Sequence, residues 1–109
     1  MADSIRVLGQ LSPSASTLTT LYTVPSLKKA TISSFYAANR ESTATTIRAS
    51  VAVTGETDSL KQYIYYDIEL PENETFVATV GITMSETDVF RVYSPSSGVS
   101  FNLFGVETS

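Results

Sequence analysis

The chain is expected to fold as an all-β protein, an antiparallel two-sheet β-sandwich of jelly-roll-like form with about eight strands. Three observations predict this. Apolar residues recur at every second position through several segments, and successive side chains of a strand point to opposite faces. Short polar clusters rich in Pro, Gly, Asn and Asp separate those segments. No segment carries a 3.6-residue apolar stripe with helix caps.

The elements follow in order. Ile5–Leu8 is a short N-terminal strand inside a segment of small polar residues. Residues 1–17 are expected to form an arm or edge segment, and residues 18–109 the sandwich domain. Leu18–Val24 is a strand that ends at Pro25-Ser26, and Ala30–Ala38 is another. Asn39-Arg40-Glu41-Ser42 divides the latter from Thr45–Thr54, where Ile47, Ala49, Val51 and Val53 are expected to face inward. After Gly55–Asp58, Ile64, Tyr66, Ile68 and Leu70 are expected to face the core, with Tyr63, Tyr65, Asp67 and Glu69 opposite. Pro71–Glu74 reads as a turn, with proline pre-setting its first corner. Phe76, Ala78, Val80, Ile82 and Met84 make the longest inward row. Val89–Tyr93 and Val99–Val106 complete the set. Val51, Ile68, Val80 and Ile82 are the expected core markers.

Composition narrows the chemistry. With 109 residues the chain fits one domain and can bury a core without metal or disulfide staples. It has no cysteine and no histidine, so thiolate nucleophiles, disulfides, Cys-type zinc sites and Ser-His-Asp machinery are excluded within it. It is therefore not expected to be an enzyme. The net charge of −4 suits no nucleic-acid partner. No apolar run approaches the roughly 20 residues of a membrane span, and Met1-Ala2-Asp3-Ser4 lacks the basic start of a secretory signal.

Three acidic pairs, Glu56/Asp58, Glu72/Glu74 and Glu86/Asp88, fall at turns. Each supplies too few oxygens for a calcium ion, so they are read as solvated loop charge, and no metal or cofactor is expected. Asn73-Glu74-Thr75 matches the glycosylation sequon and is read as coincidence. The candidate interface residues are Ile5, Val7, Leu8 and Leu11 in the N-terminal segment, with Tyr63, Tyr65 and Phe90 in the sandwich. The first four form an apolar set in a segment too short to build its own core, which suits strand addition to a neighbour. Tyr63 and Tyr65 are expected to be displayed outward, as a contact surface or a sugar-stacking platform, or as ordinary cross-strand pairs. Phe90 and Phe104 lie off the alternation of their runs and raise the same question.

A family resemblance emerges from four segments. They are Leu18-Thr19-Thr20-Leu21-Tyr22-Thr23-Val24-Pro25, Ala38-Asn39-Arg40, Gly81 to Val89 (GITMSETDV) and Phe101-Asn102-Leu103-Phe104-Gly105-Val106-Glu107. The order of a "LYTVP" strand, an "NR" turn, a "GITL..TD" strand-turn and a final "FNxFGVE" strand resembles small β-sandwich structural proteins of tailed-bacteriophage particles. The resemblance spans nearly the whole chain, and its motifs are strand ends and turns. It implies a virion location and no catalytic residues. It further implies a capsid decoration or cement protein that binds and stabilises the outer shell as a homo-oligomer, by analogy a trimer. The expected partners are the major capsid protein or other virion proteins. A tail, baseplate or fibre component of the same particle is the alternative within that setting. A carbohydrate-binding module for host attachment is the alternative from a different class, motivated by the tyrosines and opposed by the lack of tryptophan.

Overall fold

The computed structural model describes residues 3–79 and 81–109. Among the described residues nine strands form two antiparallel sheets: β1 (Asp3–Leu11), β2 (Thr19–Thr23), β3 (Lys29–Asn39), β4 (Thr45–Ala52), β5 (Tyr63–Leu70), β6 (Thr75–Ala78), β7 (Ile82–Met84), β8 (Val89–Tyr93) and β9 (Val99–Thr108). One sheet has five strands in the order β1-β9-β3-β6, with β7 also on β3, and the other has four in the order β2-β8-β4-β5. The chain passes back and forth between the sheets. β6 and β7 pair with successive parts of β3, so together they act as one interrupted strand. Eight strand positions then remain, and their order is that of a jelly roll. The expected all-β sandwich is the fold found.

The core lies between the inner faces. Phe35 sits at its centre, with ring centroids 5.3 Å from Phe90, 6.0 Å from Phe101, 6.1 Å from Tyr65 and 6.4 Å from Phe76. These rings come from both sheets, so one cluster ties the layers together. Aromatic pairs add about 0.5–1.5 kcal/mol each beyond their burial. Ile32, Ile47, Leu70, Met84, Val92 and Leu103 surround the rings and are fully buried. Phe76, Ala78, Ile82 and Met84 face inward as their alternation predicts. Val51 and Ile68 are half-buried against the core, and Val80 lies outside the described residues.

The inward assignments fail in two places, each for a local reason. The expected strand through Thr54 ends at Ala52, because Val53–Gly55 closes a 3-10 turn in which Thr54 is left-handed, at φ 52°. Val53 is consequently 58% exposed. In β5 the alternation is broken by a bulge. Ile47 pairs with Ile68 and Ala49 with Tyr65, so Tyr66 and Asp67 together oppose the single residue Arg48. Asp67 takes φ 52° to make the extra step, and Asp tolerates the left-handed region better than most residues. The bulge inverts the face of Tyr65, and a second register shift, between Ala49 and Ser50, leaves Ile64 as an extra residue and returns Tyr63 to the outer face. Tyr65 turns onto Phe35, and Ile64 and Tyr66 turn out to solvent.

The N-terminal segment docks on its own domain. β1 pairs with β9 from Asp3↔Thr108 to Leu11↔Phe101. Beyond it, Pro13 is buried, the Ser16 N–H donates to the Ser94 carbonyl at 2.9 Å, and the Ser12 hydroxyl accepts from Arg40 Nη2 at 2.7 Å. A 3-10 turn at Leu60–Gln62 precedes β5, and the Gln62 amide donates to the Thr57 carbonyl at 2.9 Å. Among the described residues no helix is long and apolar enough to cross a membrane.

Candidate interaction surface

The two sheets present opposite chemistry on their outer faces. Period-two geometry places β9 residues Ser100, Asn102, Phe104 and Val106 outward on the five-stranded sheet. Register then brings the neighbours into line. Val106 lies between Ile5 and Thr31, Phe104 between Val7 and Ser34, and Asn102 between Gln10 and Tyr36. Tyr36 continues the row to Val77, and Ala38 pairs with Thr75. The Tyr36 and Phe104 rings meet edge to face, 5.5 Å apart at 88°. Ser34, Tyr36, Ala38, Thr75, Asn102 and Phe104 line an open depression of about 580 Å³ between them.

Among the described residues of this face, charge occurs only in the terminal row, where Asp3 and Lys29 both flank Thr108. The other strand charges of this sheet, Arg6 and Glu107, are paired with one another at 3.2 Å. Beyond the terminal row the described residues of the face carry no charge, in a chain in which 17% of residues are charged. Exposure is high at its margins: Ile5 is 87%, Val77 50% and Val7 45% exposed.

The four-stranded sheet carries charge and aromatics instead. The Arg48 guanidinium lies 4.1 Å from the Tyr66 ring centre and 4.9 Å from that of Tyr93. Its Nε donates to Asp67 Oδ1 at 2.6 Å and its Nη2 to Oδ2 at 3.3 Å. That bond holds the Asp67 carboxyl below the usual carboxylate range and pushes Arg48 up. Tyr63 packs edge to face on Tyr66 at 5.2 Å, and burial followed by a bond with Asp58 raises its phenol. Arg91 donates to the Glu56 and Gly55 carbonyls, which draws the loop before β5 over this sheet.

The seven candidate residues therefore separate. Ile5 and Val7 stand on the charge-free face. A bulge between Val7 and Gly9 turns Leu8 toward the core, where Leu11 also packs. Tyr63 is outward, as expected, but on the other sheet. Tyr65 is a correction, turned inward by the Asp67 bulge. Phe90 is the plainest correction: it is fully buried against Phe35, because β8 is an interior strand whose even positions face the core. Tyr36, Val77 and Val106 were missed as surface residues. Each sits in a run that reads as a strand with apolar residues on both faces, and only sheet order tells which face is covered. Phe104 was flagged by its break from alternation, and it does stand on the outer face.

Of the acidic pairs, Glu86/Asp88 is a correction: it holds its neighbouring loops and is not merely solvated charge. Asp88 is buried and accepts from Ser85 N and Thr54 N, both at 2.9 Å, while Glu86 accepts from Leu27 N at 2.7 Å. Among the described residues no group of three or more His, Cys, Asp or Glu could hold a metal ion. Comparison with protein-family models and with curated proteins returns no match.

Proposed function

We propose that this chain is a structural component of a tailed-phage particle, a decoration or cement protein that binds the outer shell and stabilises it without catalysis. The observation that carries this reading is the N-terminal edge strand. β1 ends the five-stranded sheet and, among the described residues, pairs with β9 alone, and its first half, Asp3–Val7, is exposed throughout. An edge strand leaves a row of backbone donors and acceptors open to another chain. It can add a strand of a shell protein by main-chain hydrogen bonds along the open edge of Asp3–Val7. Many identical sites on a particle multiply weak contacts of this kind. The resemblance of the LYTVP, NR and FNxFGVE segments to particle proteins supports the same setting, while the jelly roll alone hosts many functions.

The test is rebinding to particles stripped of the native protein. Removing residues 2–5 leaves Arg6 and the core-packed Leu8 and Leu11 in place. The truncated protein should keep its β circular-dichroism spectrum and lose shell binding at least tenfold. Unchanged binding would overturn attachment through β1. A reconstruction of the intact particle with no density for this chain on the shell would overturn the decoration role.

A further inference from the structure

We infer that the outer face of the five-stranded sheet packs against the same face of a second copy, forming a two-fold symmetric dimer. This goes beyond shell binding, which uses the β1 edge, and it holds in solution without a particle.

Three features point to a second copy as the occupant. The first is charge. A chain of net charge −4 repels another copy over most of its surface. The described side chains across Ile5, Val7, Gln10, Tyr36, Val77, Asn102, Phe104 and Val106 add no repulsion. The second is the chemistry of the polar groups on the face. Asn102, Ser34, Thr75 and Gln10 are all amides or hydroxyls, and each both donates and accepts. Such a set can pair with itself across a two-fold axis, where every contact is made twice with roles exchanged. A charged partner would find no counter-charge here away from the Asp3 and Lys29 row.

The third is area. β9 has ten residues, which at about 3.3 Å per residue is a length of ~33 Å. The four strand positions span ~19 Å at about 4.8 Å each. Without the charged row at Thr108, eight residues of β9 remain, so the face covers ~500 Å² per copy and ~1,000 Å² for the pair, at the roughly 1,000 Å² that a specific interface needs. Two sheets stacked about 10 Å apart would interdigitate their side chains. The depression between Tyr36 and Phe104 would receive an apolar side chain such as the partner's Val77.

The first measurement is the molar mass of the free protein by light scattering at concentrations on the order of 10–100 μM, where an interface of this modest size should be populated. A dimer is expected. Val77→Lys combined with Phe104→Lys should give a monomer with an unchanged circular-dichroism spectrum. If the double variant misfolds, a thiol probe replaces it, since the chain has no cysteine of its own. Asn102→Cys lies on the central strand of the face, and on oxidation it should cross-link most of the protein into covalent dimers. Glu69→Cys, on the other sheet, should not. A monomeric wild type, a trimer, a dimer indifferent to both lysines, or equal cross-linking at the two positions would each overturn the proposal. None of these readouts involves the shell, so they stand or fall separately from the attachment of β1.

Discussion

The Tyr22 hydroxyl donates a 2.5 Å hydrogen bond to Glu107 Oε2 inside the sandwich, joining β2 of one sheet to β9 of the other. Arg6 Nη1 reaches the second oxygen of the same carboxylate at 3.2 Å, with Lys28 Nζ at 4.0 Å. Glu107 is thus an interior anion held by three elements, and it fastens the outer half of β1. A buried carboxylate survives only with such company.

Tyr22→Phe should lower stability by about 1–2 kcal/mol at neutral pH, since it removes a hydrogen bond to a charged acceptor. It should also alter the alkaline limb. Burial, and then Glu107, raise the Tyr22 phenol well above its usual 10.0. The stability this contributes is complete below that value. It is lost as pH climbs beyond it, because the unfolded chain ionises there and the folded chain does not. Urea titrations at successive pH values should show a shallower alkaline decline in the variant. An unchanged decline would mean that other tyrosines govern it.

Phe35→Ala should be among the most damaging single changes. It removes the ring that touches Phe76, Phe90, Phe101 and Tyr65. The loss should be about 3–5 kcal/mol, a large part of the roughly 5–15 kcal/mol available to such a domain. Leu60→Ala, at a position 79% exposed and outside both proposed interfaces, should move the denaturation midpoint very little.

Asn39→Asp tests the turn that follows β3. The buried Asn39 amide donates to the carbonyls of Thr43, Leu70 and Pro71 at 2.9, 3.2 and 3.2 Å, and its Oδ1 accepts from Glu41 N. A carboxylate would set oxygen against three oxygens, at a cost of about 3 kcal/mol. The neutral acid would be favoured by burial, so the penalty should deepen as pH rises through the carboxylate range. A denaturation midpoint equal to wild type at pH 7 would contradict this.

Leu27→Gly should be neutral or stabilising. Leu27 holds φ 66° at 86% exposure, so it carries left-handed strain with little burial to offset it. Relief of that strain, about 1–2 kcal/mol, exceeds the roughly 0.5–1 kcal/mol entropic cost of glycine. A thermal midpoint several degrees below wild type would show that the side chain makes contacts of its own.

The sequence by itself determined the β class, the positions of most strands and the inward facing of Phe76, Ala78, Ile82 and Met84. Alternation and turn chemistry are local, and each segment states its own period. Only the tertiary structure decided which faces are covered. Val89 to Tyr93 reads as a strand whether it lies inside a sheet or at its rim, and its interior place is what buries Phe90. The Asp67 bulge shows the same limit at closer range. One extra residue against Arg48 exchanged the directions of Tyr65 and Tyr66, and no period within β5 announces it, because a bulge is a relation between two strands. The charge-free face is likewise assembled from β1, β9, β3 and β6, segments far apart in the chain. Ile5, Phe104, Tyr36 and Val77 become one surface only through sheet order and register, which depend on pairing across the whole fold.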